Sequence, residues 1–328
     1  MIDSLQKSSL VPGLDIAVAI DGKTIWSEAF GFADLELKTP VVSGKTRFRI
    51  GSVSKPLTTT ALAVLMDSNR INIDLPVDHY VGYLPEKQYK FTTRQLSGHI
   101  AGIRNYKGNE FFNTRHFNTV KDGLSMFIED SLIYEPGTQY KYTSHGFNLL
   151  SAVIEGASEQ TFLRFIHNTV FDPIGMESTC ADLNDSIIIN RTSFYKINGN
   201  GTIENAPYVD NSYKWAGGGF ISTTSDLILF GQAMMKPGIV SEKTLTEITT
   251  SQVLDSGAET HYGIGWQIWK QDGRKVYGHG GGSVGGITVF KIYPEDELVI
   301  VILSNLSDLK FGNIPDRITN AFLTAKNE

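Results

Sequence analysis

The sequence predicts an antiparallel α/β sandwich with a mainly helical insertion between two sheet-forming ends. Strand-like segments cluster towards the two ends of the chain, and segments with helical periodicity occupy its middle. A lone two-stranded hairpin is too small to be stable, so we expect the N-terminal hairpin to complete a C-terminal sheet. The 328 residues suffice for one large domain or two intimately packed ones. We expect a single domain over 1–328, with 1–50 and 260–328 forming the sandwich and 51–259 the mainly helical part.

The strand predictions depend on alternation of apolar residues and on the turns between the alternating segments. Residues 14–20 alternate, Asp21-Gly22 is a strong hairpin turn, and residues 24–30 return. Near the C-terminus, residues 263–269 and 275–278 flank Asp272-Gly273. Residues 287–293 and 298–304 flank a turn at 294–297. These segments predict the antiparallel sheet of the sandwich.

The helix predictions depend on apolar residues that recur at helical spacing. They cover residues 56–68, 120–129 and 147–157, and polar loops rich in Gly, Asn and Pro separate them. Ile314, Ile318 and Phe322 mark one face of a closing helix. Long loops in a compact enzyme usually carry function, so we expect a site where the helical part meets the sheet.

The composition excludes several classes of function. The net charge of −6 leaves no basic excess for nucleic acid, and no apolar stretch is long enough to span a bilayer. Cys180 is the only cysteine, so no intrachain disulfide can form. The other histidines lack metal-ligand spacing, which predicts neither a metal nor another cofactor. No signal peptide is visible, which leaves a cytoplasmic protein and an exported or organellar protein without its leader both open.

The most informative motif is Ser52-Val53-Ser54-Lys55, which opens the first predicted helix. Residues three apart share a helical face, so Lys55 would stand one turn above the Ser52 hydroxyl. A lysine can take the proton of a serine nucleophile if burial or a neighbouring cation lowers its pKa. The alternative is a solvated lysine near a helix N-terminus, and the motif alone does not exclude it.

Two further segments could complete such a site. Tyr142 lies in a loop before a predicted helix, and we expect the cation of Lys55 to lower its pKa. His279 begins a glycine-rich segment between two strands, where an acyl group could lie along the backbone and receive a backbone N–H. Taken singly, each residue also fits an ordinary structural role. The glycines do not fit a phosphate loop, because they neither open a helix nor precede Gly-Lys-Ser/Thr.

Together the three motifs resemble the penicillin-binding and serine β-lactamase superfamily, most closely its class C-like members. Ser52-x-x-Lys55 matches the first motif, Tyr142-Thr143-Ser144 the Tyr-x-Asn motif, and His279-Gly280-Gly281 the Lys-Thr-Gly or His-x-Gly motif. Segments 93–103 and 207–220 extend the likeness, which covers roughly 11–306. The resemblance implies a single catalytic domain.

The resemblance also implies roles for individual residues. Ser52 would be the acylated nucleophile, Lys55 its general base and Tyr142 the proton relay, with His279 beside Tyr142. The backbone N–H groups of Ser52 and Gly282 would form the oxyanion hole. The remaining substrate-binding residues implied are Ser144, Gly280, Gly281, Asn211 and Trp215. Of these, Asn211 and Trp215 belong to a cleft wall at 208–219.

The departures from the family motifs bear on the substrate. Ser144 is shorter than asparagine and offers no amide, and His279 replaces a lysine that would be a permanent cation. Both changes argue against strong β-lactam hydrolysis. We therefore expect a serine peptidase that acts through an acyl-enzyme on a peptide or small molecule. The alternatives are a class C-like β-lactamase, a D-aminopeptidase or carboxypeptidase, a carboxylesterase, and a weakly active scaffold. The resemblance also implies homo-oligomers or filaments.

Overall fold

A computed structural model describes residues 11–327, and its main feature is a seven-stranded antiparallel sheet with the strand order β3-β2-β1-β12-β11-β10-β9. Two smaller sheets, β4-β8-β5 and β6-β7, lie outside it. The strands are β1 Gly13–Ile20, β2 Lys23–Asp34, β3 Thr39–Pro40, β4 Phe48–Arg49, β5 Cys180–Ala181, β6 Tyr195–Ile197, β7 Ile203–Asn205, β8 Phe220–Ser222, β9 Gln267–Gln271, β10 Arg274–Ser283, β11 Gly286–Tyr293 and β12 Leu298–Ser304.

The α-helices lie between and after these strands. They are α1 Ser54–Asp67, α2 Thr93–Ser97, α3 Val120–Leu124, α4 Ser144–Ser158, α5 Phe162–Ile166, α6 Asp172–Ile174, α7 Trp215–Gly218, α8 Thr224–Ala233, α9 Glu242–Ile248 and α10 Ile314–Asn327. Short 3-10 helices at Gly51–Val53 and Ser212–Lys214 precede α1 and α7. The fold is therefore the predicted α/β class, with an antiparallel sheet flanked by helices.

The N-terminal hairpin completes the C-terminal sheet, as predicted. Strand β1 pairs with β2 on one side and with β12 on the other, where Val18 lies opposite Ile300. Both faces of β1 are buried, because Ile16 and Val18 join one apolar core while Ala17 and Ala19 join the other. Helix α10 covers the first of these cores and α1, α4 and α8 cover the second. Burial on both faces makes the sheet the rigid base of the molecule.

Three element boundaries differ from the predictions. Strand β10, expected to end at Gly278, continues to Ser283, so the first part of the glycine-rich segment lies within the strand and not between two strands. The helix expected over 120–129 ends at Leu124, and turns follow it. Glycine disfavours a helix, and Gly123 lies in its last turn. The strand expected from residue 263 begins at Gln267. Gly265 has a φ of +81°, a turn conformation that suits glycine and interrupts a strand.

Candidate active site

Ser52 and Lys55 meet as the motif predicts. Ser52 lies in the 3-10 turn that leads into α1, and the Ser54 hydroxyl donates to the Gly51 carbonyl at 2.8 Å, which fixes that turn. The Lys55 Nζ donates to the Ser52 Oγ at 3.1 Å, to the Ser144 Oγ at 3.2 Å and to the Gly217 carbonyl at 2.5 Å. The amine is therefore held beside the serine by partners from three segments of the chain.

The surroundings of Lys55 favour its neutral form. Its side chain is fully buried, and burial first, then the charge of Lys214, holds its pKa well below 10.5. Its Nζ lies 4.8 Å from the ring centroid of Tyr142 and 5.4 Å from that of Phe147. Within residues 11–327 no carboxylate pairs with it. Burial and a neighbouring cation, the two conditions set for Lys55 by the sequence, are therefore both present. A neutral amine has two N–H groups and one lone pair, so in that form it can donate to Ser144 and Gly217 and accept the Ser52 proton.

Tyr142 lies beside this pair, but its electrostatics differ from the prediction. The Thr143 side chain caps α4 by accepting from the Gly146 amide, which places Tyr142 directly before the helix. The Tyr142 hydroxyl is enclosed and forms no hydrogen bond of standard geometry with a described residue. The nearby Ser52 side chain lowers the pKa of Tyr142, but this effect is smaller than that of burial. Burial raises the pKa of Tyr142 above its usual value, so the predicted lowering by Lys55 is wrong. The phenol keeps its proton and can act as a donor.

His279 lies in β10 with its ring 5.9 Å from that of Tyr142, measured between centroids. Its Nδ1 donates to the Gly280 carbonyl at 2.6 Å, which leaves Nε2 to accept from the Tyr262 hydroxyl at 3.0 Å. Burial and then the charge of Lys55 lower its pKa to about 3. His279 is therefore neutral and supplies no cation near pH 7.

The two predicted oxyanion donors come from segments in direct contact. A Cβ on Gly51, which precedes Ser52, would lie 2.6 Å from the Gly282 carbonyl oxygen. The Gly280 amide donates to the Gln267 side chain at 3.1 Å rather than across to β11. Because amides alternate in direction along a strand, the Gly282 amide is expected to face the same side of β10 as that of Gly280. The pairing of the Ser52 and Gly282 amides as an oxyanion hole stays a prediction.

Two other predicted substrate-binding residues also lie in this junction. The Ser144 hydroxyl contacts Lys55, and its amide donates to the Asn105 side chain at 3.1 Å. Gly281 packs so tightly that a Cβ there would lie 2.0 Å from the Ile50 carbonyl oxygen. Glycine at this position thus lets β10 approach the segment that carries Ser52.

The two predicted wall residues are not brought to an open surface. Asn211 is 1% exposed, and its amide donates to Asp182 at 2.8 Å. Trp215 is 9% exposed, and its Nε1 is enclosed without a partner in the described part of the chain. Both residues are packed within the wall of the cleft. The assignment of Asn211 and Trp215 to substrate binding stays a prediction.

Three residues of the site were missed by sequence reasoning. The Gly217 carbonyl holds Lys55, Tyr262 holds His279, and His99 stacks near both tyrosines with centroids 4.4 Å from Tyr142 and 4.5 Å from Tyr262. Gly217, Tyr262 and His99 lie far apart in the sequence, and only the packing of the fold brings them to the site. The Trp215-Ala-Gly-Gly-Gly run before β8 was a visible sign of close approach at Gly217.

Two wider searches of the described residues gave negative findings. Between residues 11 and 327 no helix is both long and apolar enough to cross a bilayer. The same residues contain no group of three or more His, Cys, Asp or Glu side chains arranged to hold a metal ion.

Comparisons with known proteins place these features in a family. Residues 1–322 match the family described as Beta-lactamase. The chain is 31% identical to the mitochondrial serine beta-lactamase-like protein LACTB of Homo sapiens, over 87% of this chain and 69% of that protein. It is 24% identical to a D-aminopeptidase of Gluconobacter oxydans, over 90% of this chain and 56% of that protein. A D-amino acid amidase structure from Ochrobactrum anthropi superposes with a TM-score of 0.84 at 20% identity, covering 99% of this chain and 96% of that one. The chain therefore belongs to the beta-lactamase family, a family of serine hydrolases.

Proposed function

We propose that this protein is a serine hydrolase that cleaves peptide or other amide bonds through an acyl-enzyme on Ser52. The observation that carries the proposal is the Lys55 amine, fully buried and 3.1 Å from the Ser52 Oγ. Amide substrates are favoured because the relatives include a D-aminopeptidase and a D-amino acid amidase. The whole chain would act as one catalytic unit, since the site combines α1 and α4 with strand β10.

In the proposed acylation, the Ser52 Oγ attacks the carbonyl carbon while its proton moves to the Lys55 Nζ. The carbonyl oxygen becomes an oxyanion that the amides of Ser52 and Gly282 stabilise. The Tyr142 phenol then donates its proton to the leaving nitrogen and regains one from Lys55, so that the amine departs neutral. The raised pKa of Tyr142 supports this role, because the group stays protonated until the transfer.

In the proposed second step, a water molecule attacks the acyl-enzyme and releases the acid. One proton of the water passes to the Ser52 Oγ through the same Lys55 amine, which restores the starting state. The substrate would lie along the open edge of β10 at Gly280, where backbone groups can pair with an extended chain. The neutral His279 holds that edge through Tyr262 and the Gly280 carbonyl.

The test is a substrate panel measured with the purified protein and with Ser52→Ala. The panel holds peptide amides, D-amino acid amides, short p-nitrophenyl esters and a chromogenic cephalosporin. We expect hydrolysis of amides by the native protein and none by Ser52→Ala. Cleavage of esters alone would overturn the amide assignment, and cephalosporin as the best substrate would make the protein a β-lactamase.

A further inference from the structure

The segment that carries Ser52 and the end of β10 touch through their backbones without a backbone hydrogen bond. A Cβ on Gly281 would lie 2.0 Å from the Ile50 carbonyl oxygen, so the two chains approach as closely as they can. In the part of the chain that the structure describes, no backbone hydrogen bond joins 49–53 to 279–286. Close packing keeps the two segments in contact, but unlike a hydrogen bond it has no preferred direction. Another interaction must therefore set their relative position.

The side chain of Arg49 links the two segments. Arg49 ends β4, three residues before Ser52, and it is 4% exposed. Its Nη1 donates to the Val284 carbonyl at 2.8 Å, and its Nε donates to the Asp182 carboxylate at 2.6 Å. Val284 follows the last residue of β10 and lies two residues after Gly282. The two amides of the proposed oxyanion hole therefore each lie within three residues of one end of this link.

The guanidinium of Arg49 is itself held in place. Its Cζ lies 3.6 Å from the ring centroid of Phe194, a contact typical of an arginine stacked on an aromatic ring. Asp182 also accepts from the Asn211 amide at 2.8 Å and from Arg191 at 3.3 Å, so other parts of the chain fix the carboxylate. A guanidinium is planar and holds its donors at fixed angles. The bond to the carboxylate therefore directs the second donor at the end of β10.

The end of β10 depends on such a link because it is paired on one side. Its register with β9 stops at Gly278, whereas its register with β11 continues to Ser283. Residues 280–282 are all glycine, which weakens the interior of a strand and leaves its backbone easily deformed. The placement of the Gly282 amide against Ser52 is therefore sensitive to what holds the chain just beyond β10.

We propose that Arg49 is a positioning residue for the oxyanion hole, because its guanidinium joins the Ser52 segment to the end of β10 and sets the spacing of the Ser52 and Gly282 amides. This inference rests on the proposed acyl-enzyme chemistry and adds the residue that aligns its donors. Removing one oxyanion donor costs about 10²- to 10³-fold in rate, and a misplacement of about 1 Å forfeits much of the same effect. Loss of the link should therefore slow acylation by roughly ten- to hundredfold.

The test compares the acylation rates of p-nitrophenyl acetate and its thiono analogue, in which sulfur replaces the carbonyl oxygen. Sulfur is a weak hydrogen-bond acceptor, so aligned amides favour the oxygen ester. The measured quantity is the oxygen-over-sulfur rate ratio, divided by the same ratio for hydroxide in free solution. We expect roughly ten or more for the native protein and a fall of at least about fivefold for Arg49→Met. A loss of folded protein alone would lower both rates equally and leave the ratio unchanged.

Arg191→Met is the matched control, because Arg191 donates to the same Asp182 carboxylate but not to the Val284 carbonyl, and it should keep the native ratio. A native ratio near one, a native-like ratio in Arg49→Met, or an equal fall in Arg191→Met would overturn the role of Arg49. Failure of both esters to acylate the native protein would instead contradict the proposed hydrolysis. If Arg49→Met does not fold, Arg49→Lys keeps a cation for the carboxylate without the second angled donor, and the same fall is expected.

Discussion

Replacing Lys214 by methionine should stabilise the protein, because its ammonium is buried among the rings of Phe111, Tyr213 and Tyr106. Methionine keeps an unbranched apolar chain of similar length, so the pocket of aromatic rings stays filled. The charges that act on this position are Arg49, which disfavours the ammonium, and Asp182, which favours it. Burial is the largest effect, and together they lower the pKa of Lys214 to about 7.

The size and the pH dependence follow from that pKa. Lowering a lysine pKa from its usual 10.5 to about 7 corresponds to a cost of roughly 4 to 5 kcal/mol for folding with the charged form. Because the folded pKa is the lower one, the unfolded chain binds more protons between those two values. The cost is complete below pH 7, shrinks as the pH rises, and vanishes above the unfolded pKa. The advantage of Lys214→Met should therefore fall by roughly 2 to 3 kcal/mol between about pH 6 and pH 9.

The assay is urea denaturation of the native protein, Lys214→Met and Lys90→Met at both pH values. Lys90→Met removes an exposed ion pair with Asp78 and should change the free energy of unfolding by less than about 1 kcal/mol. A Lys214→Met protein less stable than the native one at pH 6 would refute the reasoning. So would an equal advantage at both pH values, since that would reflect packing alone.

Three substitutions test the catalytic geometry. Lys55→Met should slow fluorophosphonate labelling of the serine by at least about a hundredfold while the far-UV circular dichroism stays native; near-native labelling would exclude this base. Tyr142→Phe should lower amide turnover by roughly 10²- to 10⁴-fold, and a loss under about threefold would return the tyrosine to a packing role. Gly51→Ala forces a Cβ into the Gly282 carbonyl at a φ of +50° and should sharply slow labelling. Gly82→Ala is the matched control, because Gly82 lies outside the site and a Cβ there meets nothing within 4 Å. Equal rates for the two alanine variants would argue against the oxyanion assignment.

Local signals in the sequence predicted the elements that carry the site. The Asp21-Gly22 turn and the alternation around it predicted a hairpin, and the structure shows that hairpin paired with β12. The Ser52-x-x-Lys55 spacing predicted a contact within one helical turn, and the two side chains are in contact. These features depend on neighbours within a few residues, so a pattern can reveal them. The roles of Ser52, Lys55, Tyr142 and Gly282 remain predictions until the chemistry is measured.

What the sequence did not predict depends on long-range burial. The cation of Lys55 was expected to lower the pKa of Tyr142, but enclosure of the phenol has the larger effect and raises it. The hydrogen bond from the Asn211 amide to Asp182 joins residues 29 positions apart and had no signal in the sequence. Lys214 carried no motif at all, and only the packing of distant aromatic residues around it marks the position. Desolvation is a property of the whole fold, and spacing along the chain does not encode it locally.

The central claim, an acyl-enzyme on Ser52, is tested most directly by intact-mass spectrometry after incubation with a fluorophosphonate probe. The account predicts a single adduct on the native protein, mapped by peptide sequencing to Ser52, and no adduct on Ser52→Ala. An unmodified native protein under saturating probe, or an adduct that persists in Ser52→Ala, would contradict it.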